Sequence, residues 1–208
     1  MTVTGREASI ETTVENQTQG NTTINITVKD PITNTPISNS TVTITYPNGT
    51  TETVTTDENG NIRVNPDLPV GNNTITITYP ETDEYNTTTT TITINVALRD
   101  SLTTATVNNN TVRNTTITVT VRDKTTGQPV TSGQIEITNK DTGVLIATGT
   151  LTDTNTITIP VNLPEGTYNL TVNYLGNINY TASSTNIENM NIEKRASTIT
   201  IATLNDTR

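Results

Sequence analysis

The string Asp57-Glu58-Asn59-Gly60-Asn61 is the part of this sequence that comes nearest to a metal-binding motif. Carboxylate and amide oxygens grouped around a glycine are typical of calcium loops. The bidentate glutamate of such a loop is missing downstream, and the corresponding string Asp153-Thr154-Asn155 has neither a glycine nor a second acid. A plain turn is the favoured interpretation, and Asn59-Gly60 between alternating segments predicts a β-hairpin. We expect no cofactor, with calcium the one ion left open.

Catalytic chemistry is restricted by the residue types that are missing. The chain has 208 residues but no histidine and no cysteine. Ser–His–Asp and Cys–His catalysis and the usual zinc, haem and iron–sulfur ligand sets are therefore excluded. Acids that could pair in a hydrolase do not recur together in both halves of the chain: Glu11, Glu15, Glu52, Glu81, Asp83, Glu84 and Glu165. We assign no catalytic, cofactor-binding or metal-binding residue and expect no enzyme activity.

Two strings of the form LPxG resemble part of a sortase signal. Leu68-Pro69-Val70-Gly71 and Leu163-Pro164-Glu165-Gly166 lack its Thr-Gly ending, and no hydrophobic tail follows either of them. Each string stands just before a strand-like segment. We predict a buried leucine, a turn set by proline and a glycine with positive φ.

Threonine dominates the composition, with 55 of the 208 residues, and hydrophobic residues make up only 30%. So low an apolar content is typical of disordered chains. However, the apolar residues alternate with threonine, as in Ile24, Ile26 and Val28, and threonine suits the exposed side of a strand. The alternation predicts inward-facing residues at Ile24, Ile26, Val28, Val42, Ile44, Ile75, Ile77, Tyr79, Ile92 and Ile94, and at Ile117, Val119, Val121, Ile135, Ile137, Ile157, Ile159, Leu170, Val172 and Tyr174.

The second half of the chain repeats the first, because Arg6 and its flanking pattern return at Arg99, 93 residues later, and again at Arg195. We predict domains at 1–97 and 98–194 and the first strand of a truncated third repeat at 195–208. Each full repeat has about seven strand-like segments, a number that fits an Ig-like sandwich. A β-solenoid is disfavoured because no shorter period occurs. The predicted strands are 8–15, 22–29, 40–46, 51–56, 61–65, 73–79 and 88–97, and then 101–108, 115–122, 133–139, 144–151, 155–160, 167–174 and 184–193.

The order of motifs resembles the bacterial Ig-like repeats of large adhesin-like surface proteins of bacteria and methanogenic archaea. Each repeat has a strand that ends in VKD or VRD, a proline before the next strand, an LPxG turn, a strand that ends in tyrosine, and a second tyrosine six residues later. The motif residues are Asp30, Pro36, Tyr79 and Tyr85, and Asp123, Pro129, Tyr174 and Tyr180. The family's Gly-Asp before the second tyrosine is absent here. The resemblance implies an all-β chain of two tandem Ig-like β-sandwiches in an extended arrangement.

The same resemblance implies a non-catalytic stalk or spacer on the cell surface, with the signal peptide and anchor outside this sequence. Its partners would be neighbouring repeats of the same chain, and surface glycans or proteins of another cell. With a net charge of −9 and no basic patch we expect no nucleic-acid binding. We also expect no membrane insertion and a monomer. The alternative is a carbohydrate- or protein-binding module, because sugar sites usually offer exposed aromatic residues. The four tyrosines at matched positions are interpreted as core or corner residues, which leaves the unmatched Tyr46 and Tyr168 without an assigned role.

Three further features concern the surface. Threonine rows at Thr41, Thr43 and Thr45 and at residues 87–91 could order ice, but sandwich sheets twist, so we expect no ice binding. Lys29 could form an internal crosslink, but its counterpart is Arg122, so none is expected. Twelve N-x-[ST] sequons allow glycosylation in a secreting host: Asn16, Asn21, Asn25, Asn39, Asn48, Asn72, Asn86, Asn109, Asn114, Asn169, Asn179 and Asn205.

Overall fold

The computed structural model describes residues 5–200, and all the regular elements in that range are β-strands. The chain divides into two compact units, Met1–Arg99 and Asp100–Arg208. The strands of the first unit are β1 (Arg6–Glu7), β2 (Ser9–Thr18), β3 (Asn21–Lys29), β4 (Thr41–Thr45), β5 (Thr51–Thr55), β6 (Asn61–Val64), β7 (Gly71–Tyr79), β8 (Tyr85–Asn86) and β9 (Thr88–Val96). Those of the second are β10 (Ser101–Asn108), β11 (Thr115–Asp123), β12 (Ser132–Asn139), β13 (Leu145–Thr152), β14 (Thr156–Val161), β15 (Gly166–Tyr174) and β16 (Ser183–Ile192).

Each unit is a sandwich of two antiparallel sheets. In the first unit, β2-β3-β6 packs against β5-β4-β7-β9, and in the second, β10-β11-β14 packs against β13-β12-β15-β16. A single cluster of buried apolar residues lies within each unit. The prediction of an all-β chain of tandem β-sandwiches is confirmed, while its extended arrangement stays a prediction. Residues 195–200 carry no strand and residues 201–208 lie outside the described residues, so the third repeat also stays a prediction.

Most residues that the alternation predicts to face inwards are buried in the core. Of the 20 predicted inward positions, 18 are buried, while Ile92 and Ile157 are half-buried. Ile92 lies on β9 and Ile157 on β14, and both strands are at the edge of their sheets. Eleven further core residues lie outside the list of inward positions: Ala8, Ile62, Val64, Leu68, Tyr85, Val96, Val130, Leu151, Val161, Met190 and Ile192. Of these, Leu68 is predicted to be buried from its LPxG string.

The turn at Asn59-Gly60 is not the predicted hairpin, because the strands that it joins lie in different sheets. β5 pairs with β4, whereas β6 pairs with β3. Gly60 has a φ of +73°, and a Cβ atom there would lie 2.4 Å from the carbonyl oxygen of Val28. At this close approach the Val28 amide donates a hydrogen bond to the Gly60 carbonyl, with 2.8 Å between N and O. Gly60 therefore lies where the chain crosses from one sheet to the other. The Asn-Gly pair alone does not predict this crossing.

Within each unit the chain enters at one end and leaves at the other. In the first unit Arg6 is in parallel register with Tyr85, and twelve residues further along each strand Thr18 bridges Ala97, also in parallel. In the second unit the Oγ of Ser101 donates to the carbonyl of Thr181 at 2.7 Å. At the other end of that unit Thr111 bridges Glu193 in parallel. The first and last long strands of a unit therefore run in the same direction.

Candidate functional site

The most strongly bonded carboxylate of the first unit is that of Asp30, which directly follows β3. Its Oδ1 accepts hydrogen bonds from the backbone amides of Ile32 at 2.8 Å and Thr33 at 3.0 Å, which closes the turn after the strand. Its Oδ2 accepts from Arg6 Nη1 at 2.7 Å and from the Tyr85 hydroxyl at 3.0 Å. The Arg6 guanidinium also lies over the Tyr85 ring, 5.9 Å from its centroid.

Hydrogen bonds outweigh burial in setting the charge of this carboxylate. The Asp30 side chain is only 1% exposed, and burial alone would favour its neutral form. The two backbone amides have the largest effect and, with smaller contributions from Tyr85 and Arg6, lower the pKa of Asp30 to about 2. Burial, followed by the hydrogen bond to Asp30, raises the pKa of the Tyr85 hydroxyl. Asp30 is therefore ionised and Tyr85 protonated at neutral pH.

The second unit repeats the turn around its own aspartate. Asp123 is 2% exposed, and its Oδ1 accepts from the backbone amides of Thr125 at 2.9 Å and Thr126 at 2.7 Å. Arg99 and Tyr180 stand at the sequence positions that correspond to Arg6 and Tyr85. The sequence marked these residues as features of the repeat but did not predict that Asp30, Arg6 and Tyr85 meet. Nothing in the sequence fixes that distance, because the three residues lie on separate strands and turns.

The Asp30 cluster is arranged to hold strands together rather than to transform a substrate. Its carboxylate oxygens already accept four hydrogen bonds. The cluster joins the entering strand β1 to the end of β3 and to β8. We interpret it as a clamp on the entry strand.

The candidate calcium string forms a turn that uses its own carboxylate. Asp57 Oδ1 accepts from the backbone amides of Asn59 at 2.9 Å and Asn61 at 2.7 Å. No group of three acidic side chains suited to a metal ion occurs in residues 5–200. Whether calcium binds stays a prediction.

Three of the acids considered for catalysis form ion pairs, each with a different basic residue. Glu11 lies 2.5 Å from Lys29, the crosslink candidate, and Glu15 lies 3.6 Å from Arg63. In the second unit Glu165 lies 3.1 Å from Lys194. These are surface ion pairs, each of which contributes less than about 1 kcal/mol to stability. The other four acids are exposed at Glu52, Glu81, Asp83 and Glu84.

The LPxG strings lead into strands β7 and β15 through a bend at Val70 and at Glu165 rather than through the predicted turn, and each glycine is the first residue of its strand. Leu68 is buried, and Gly71 has a φ of +108°. In the second unit Gly166 has a φ of +150°, but Leu163 is only half-buried, which differs from the predicted burial. Leu68 belongs to the core cluster, whereas Leu163 packs at the margin of its own.

A groove beside Tyr46 is a partly apolar concave surface of the first unit. It encloses about 300 Å³ and is lined by Tyr46, Pro47, Asn48, Thr50, Glu52, Pro66, Asp67, Leu68 and Pro69. The Tyr46 hydroxyl donates to Glu52 Oε2 at 2.5 Å. Burial, and then the neighbouring Glu52 carboxylate, raises the pKa of Tyr46 well above its usual range. The position that corresponds to Tyr46 in the second repeat is occupied by an asparagine, Asn139, so the groove's aromatic wall belongs to the first unit alone.

The comparisons with known proteins agree with this topology. Residues 101–193 match the family described as bacterial Ig-like domain (group 3). The matched residues include strands β10 to β16, so the second unit is similar to bacterial Ig-like domains. Residues 23–112, which include most of the first unit, match the carboxypeptidase regulatory-like domain family. None of the curated proteins compared with the chain matches it.

One solved structure shows the same fold for the two units, and two others were found at lower similarity. A segment of two fibronectin type III domains from chicken tenascin is 13% identical, with a TM-score of 0.53 over 86% of this chain and 97% of that segment. The adhesin InvE of Yersinia pseudotuberculosis is 18% identical, with a TM-score of 0.42 over 87% of this chain and 59% of that one. The BSP domain of a biofilm-associated protein is 19% identical, with a TM-score of 0.29 over 86% of this chain and 30% of that one.

Residues 5–200 hold no helix that is long and apolar enough to span a bilayer.

Proposed function

We propose that the two Ig-like units are non-catalytic spacer repeats of a longer, extracellular, adhesin-like protein on a cell surface. The observation that carries this proposal is the path of the chain through each unit. Because the first and last long strands are parallel, entry and exit lie at opposite ends in both units. In this proposal, an array of such units grows along one direction with every copy that is added.

The junction and the charge of the chain support the same role. Between Val96 and Ser101 the sequence runs Ala-Leu-Arg-Asp, with no glycine or proline to give a flexible linker. The Arg99 of this junction corresponds to the Arg6 that holds the entry strand of the first unit. A net charge of −9 favours a soluble monomer that repels its neighbours. In this proposal the partners of each unit are the preceding and following repeats.

Small-angle X-ray scattering of the 208-residue chain tests the proposal. Two units placed end to end, each with strands of about ten residues at ~3.3 Å per residue, give a maximum dimension of at least about 65 Å. The radius of gyration should then be about 23 Å, against about 17 Å for one compact body of this length.

The matched control is a variant with five Gly and Ser residues inserted between Leu98 and Arg99. If the natural junction is stiff, the insertion should broaden the distribution of interatomic distances obtained from the scattering. A radius of gyration near that of the compact body, or a distribution that the insertion does not change, would contradict the stiff spacer.

The groove beside Tyr46 favours a second candidate, a module that itself binds a carbohydrate. An aromatic ring flanked by carboxylates and an amide is the usual composition of a sugar site, and Tyr46, Glu52 and Asn48 provide it. Binding to a glycan array that Tyr46→Ala abolishes and Tyr168→Ala preserves would favour this candidate. Tyr168 is the matched control because it is half-buried too, and its hydroxyl donates to the Pro164 carbonyl at 3.2 Å. We expect that the unmodified chain and both variants bind no glycan. That result favours the spacer.

A further inference from the structure

We propose that Asn16 and Asn109 are N-glycosylation acceptors, one in each repeat. The donor would be an oligosaccharide linked through pyrophosphate to a lipid carrier. This inference goes beyond the spacer role, because a spacer needs no modification.

The first observation is the recurrence of a sequon at one position of the repeat. Asn16-Gln17-Thr18 begins 10 residues after Arg6, and Asn109-Asn110-Thr111 begins 10 residues after Arg99. A third sequon, Asn205-Asp206-Thr207, begins 10 residues after Arg195, outside the described residues. The middle residue differs in every copy while the asparagine and the threonine remain.

The second observation is the geometry of the two described asparagines. Asn16 is the extra residue of a bulge in β2, because the register with β3 shifts between Glu15 and Gln17. Asn109 directly follows the end of β10. Both are exposed, with φ of 52° and 54°, and neither carboxamide bonds to another described residue. Their Nδ2 atoms are therefore open to an enzyme.

The left-handed backbone explains the asparagine but not the whole sequon. Asparagine tolerates positive φ better than most residues, so a bulge alone would select it. A bulge does not require threonine two residues later. The recurrence of that threonine, at Thr18 and Thr111, is what points to modification rather than to backbone geometry.

Most other sequons are less accessible to a glycosyltransferase or do not recur in both repeats. Asn25 is half-buried on β3, which has a strand on each side. The Asn169 carboxamide donates to Asp141 at 3.2 Å and accepts from the Asn189 amide at 3.0 Å. Among the exposed ones, Asn39 has no counterpart in the second repeat.

Asn21 and Asn114 form the one other recurring pair. Asn21 is paired in the ladder with Thr18, and its sequon threonine, Thr23, is buried and donates to Asn65 at 2.8 Å. Asn21 and Asn114 are exposed as well. Asn16 and Asn109 differ from them in their left-handed backbone, which lies at a bulge in the first unit and directly after a strand end in the second.

The transfer is a substitution at the anomeric carbon of the first sugar. The Asn Nδ2 forms a bond to that carbon, and the bond from the carbon to the pyrophosphate oxygen breaks. The lipid pyrophosphate leaves with the electron pair, and one Nδ2 proton passes to a base of the transferase. The product is a neutral glycosyl amide on the outer surface of each unit.

Occupancy mapping tests the inference on the intact chain. The 208-residue protein would be secreted from a host with N-glycosylation machinery, and the occupancy of every sequon would be measured by glycopeptide mass spectrometry. We expect Asn16 and Asn109 to be occupied at least several-fold more than Asn25 and Asn169. Thr18→Ala and Thr111→Ala should each remove one glycan mass, whereas Thr18→Ser should keep it.

Two results would overturn the inference. One is the absence of glycan at both Asn16 and Asn109. The other is an occupancy there that is no higher than at Asn25 and Asn169. The map of the unmodified sequence decides this even if a variant fails to fold.

Discussion

Replacing Ile77 by aspartate is expected to unfold the first unit and leave the second folded. Ile77 is fully buried in the middle of β7, paired with Ile44 on β4 and Thr90 on β9. Loss of the isoleucine packing costs about 2–5 kcal/mol, and burying an unpaired carboxylate costs several kcal/mol more. The sum is comparable to the whole stability of a small domain, about 5–15 kcal/mol.

Two-dimensional NMR of the 208-residue chain shows for each unit separately whether it is folded. Amide resonances of the first unit should collapse to the range of an unfolded chain, while those of the second keep their dispersion, because each unit has its own core. Val172→Asp should produce the converse result, since Val172 is fully buried in β15.

The matched control is Thr74→Asp, on the exposed face of the same strand as Ile77. It should change stability by no more than about 1 kcal/mol. If the first unit stays folded in the Ile77→Asp variant, or unfolds as readily in the Thr74→Asp variant, the assigned register of β7 is wrong.

Replacing Asp30 by asparagine is expected to lower the melting temperature of the first unit at neutral pH and to remove a component of its acid sensitivity. Asparagine keeps an oxygen for the Ile32 and Thr33 amides but presents an N–H group to Arg6 and Tyr85, which are themselves donors. The ion pair is therefore lost while the turn is kept.

The direction of the pH dependence follows from the lowered pKa. The Asp30 pKa is about 2 in the folded chain, below its ordinary value of 3.8. Above pH ~5 both states are ionised and the stabilisation is fully present. Between those two values the unfolded chain binds about one proton more than the folded chain, so stability falls as the pH falls. Below pH ~2 both states are protonated and the contribution has disappeared.

Melting of the wild type and of Asp30→Asn at pH 6, 4, 3 and 2 checks this. The gap between the two melting temperatures of the first unit should be widest at pH 6 and close towards pH 2. Asp123→Asn serves as the control, because it should shift the transition of the second unit and not that of the first. A gap that stays constant over the whole range would mean that Asp30 does not titrate as its contacts indicate.

The strands and most of the core were predictable because both depend on neighbouring residues. Alternation along a strand decides which side chains face inwards, and the short segment Asn21–Lys29 contains that information in full. The predicted strand bounds agree with the structure to within about three residues. The repeat likewise needed only the return of Arg6, Asp30 and Tyr85 in order.

The contacts of the candidate sites were not predictable because they join residues that are far apart in sequence. Asp30 and Tyr85 are 55 positions apart, and their hydrogen bond exists only because β3 and β8 meet at one end of the sandwich. The Tyr46 groove also needs the segment before β7 to lie against the end of β4.

The sequence by itself determined that this chain forms strands, that they form two similar units, and that catalysis by histidine or cysteine is absent. Only the tertiary structure decided which strands pair, as the Asn59-Gly60 turn shows by joining two sheets where a hairpin was predicted. It also decided which of the eleven sequons within residues 5–200 stand free at the surface. The physical reason is that a period of two assigns each residue to a face, whereas the choice of partner strand depends on how all the apolar faces of a unit are buried together.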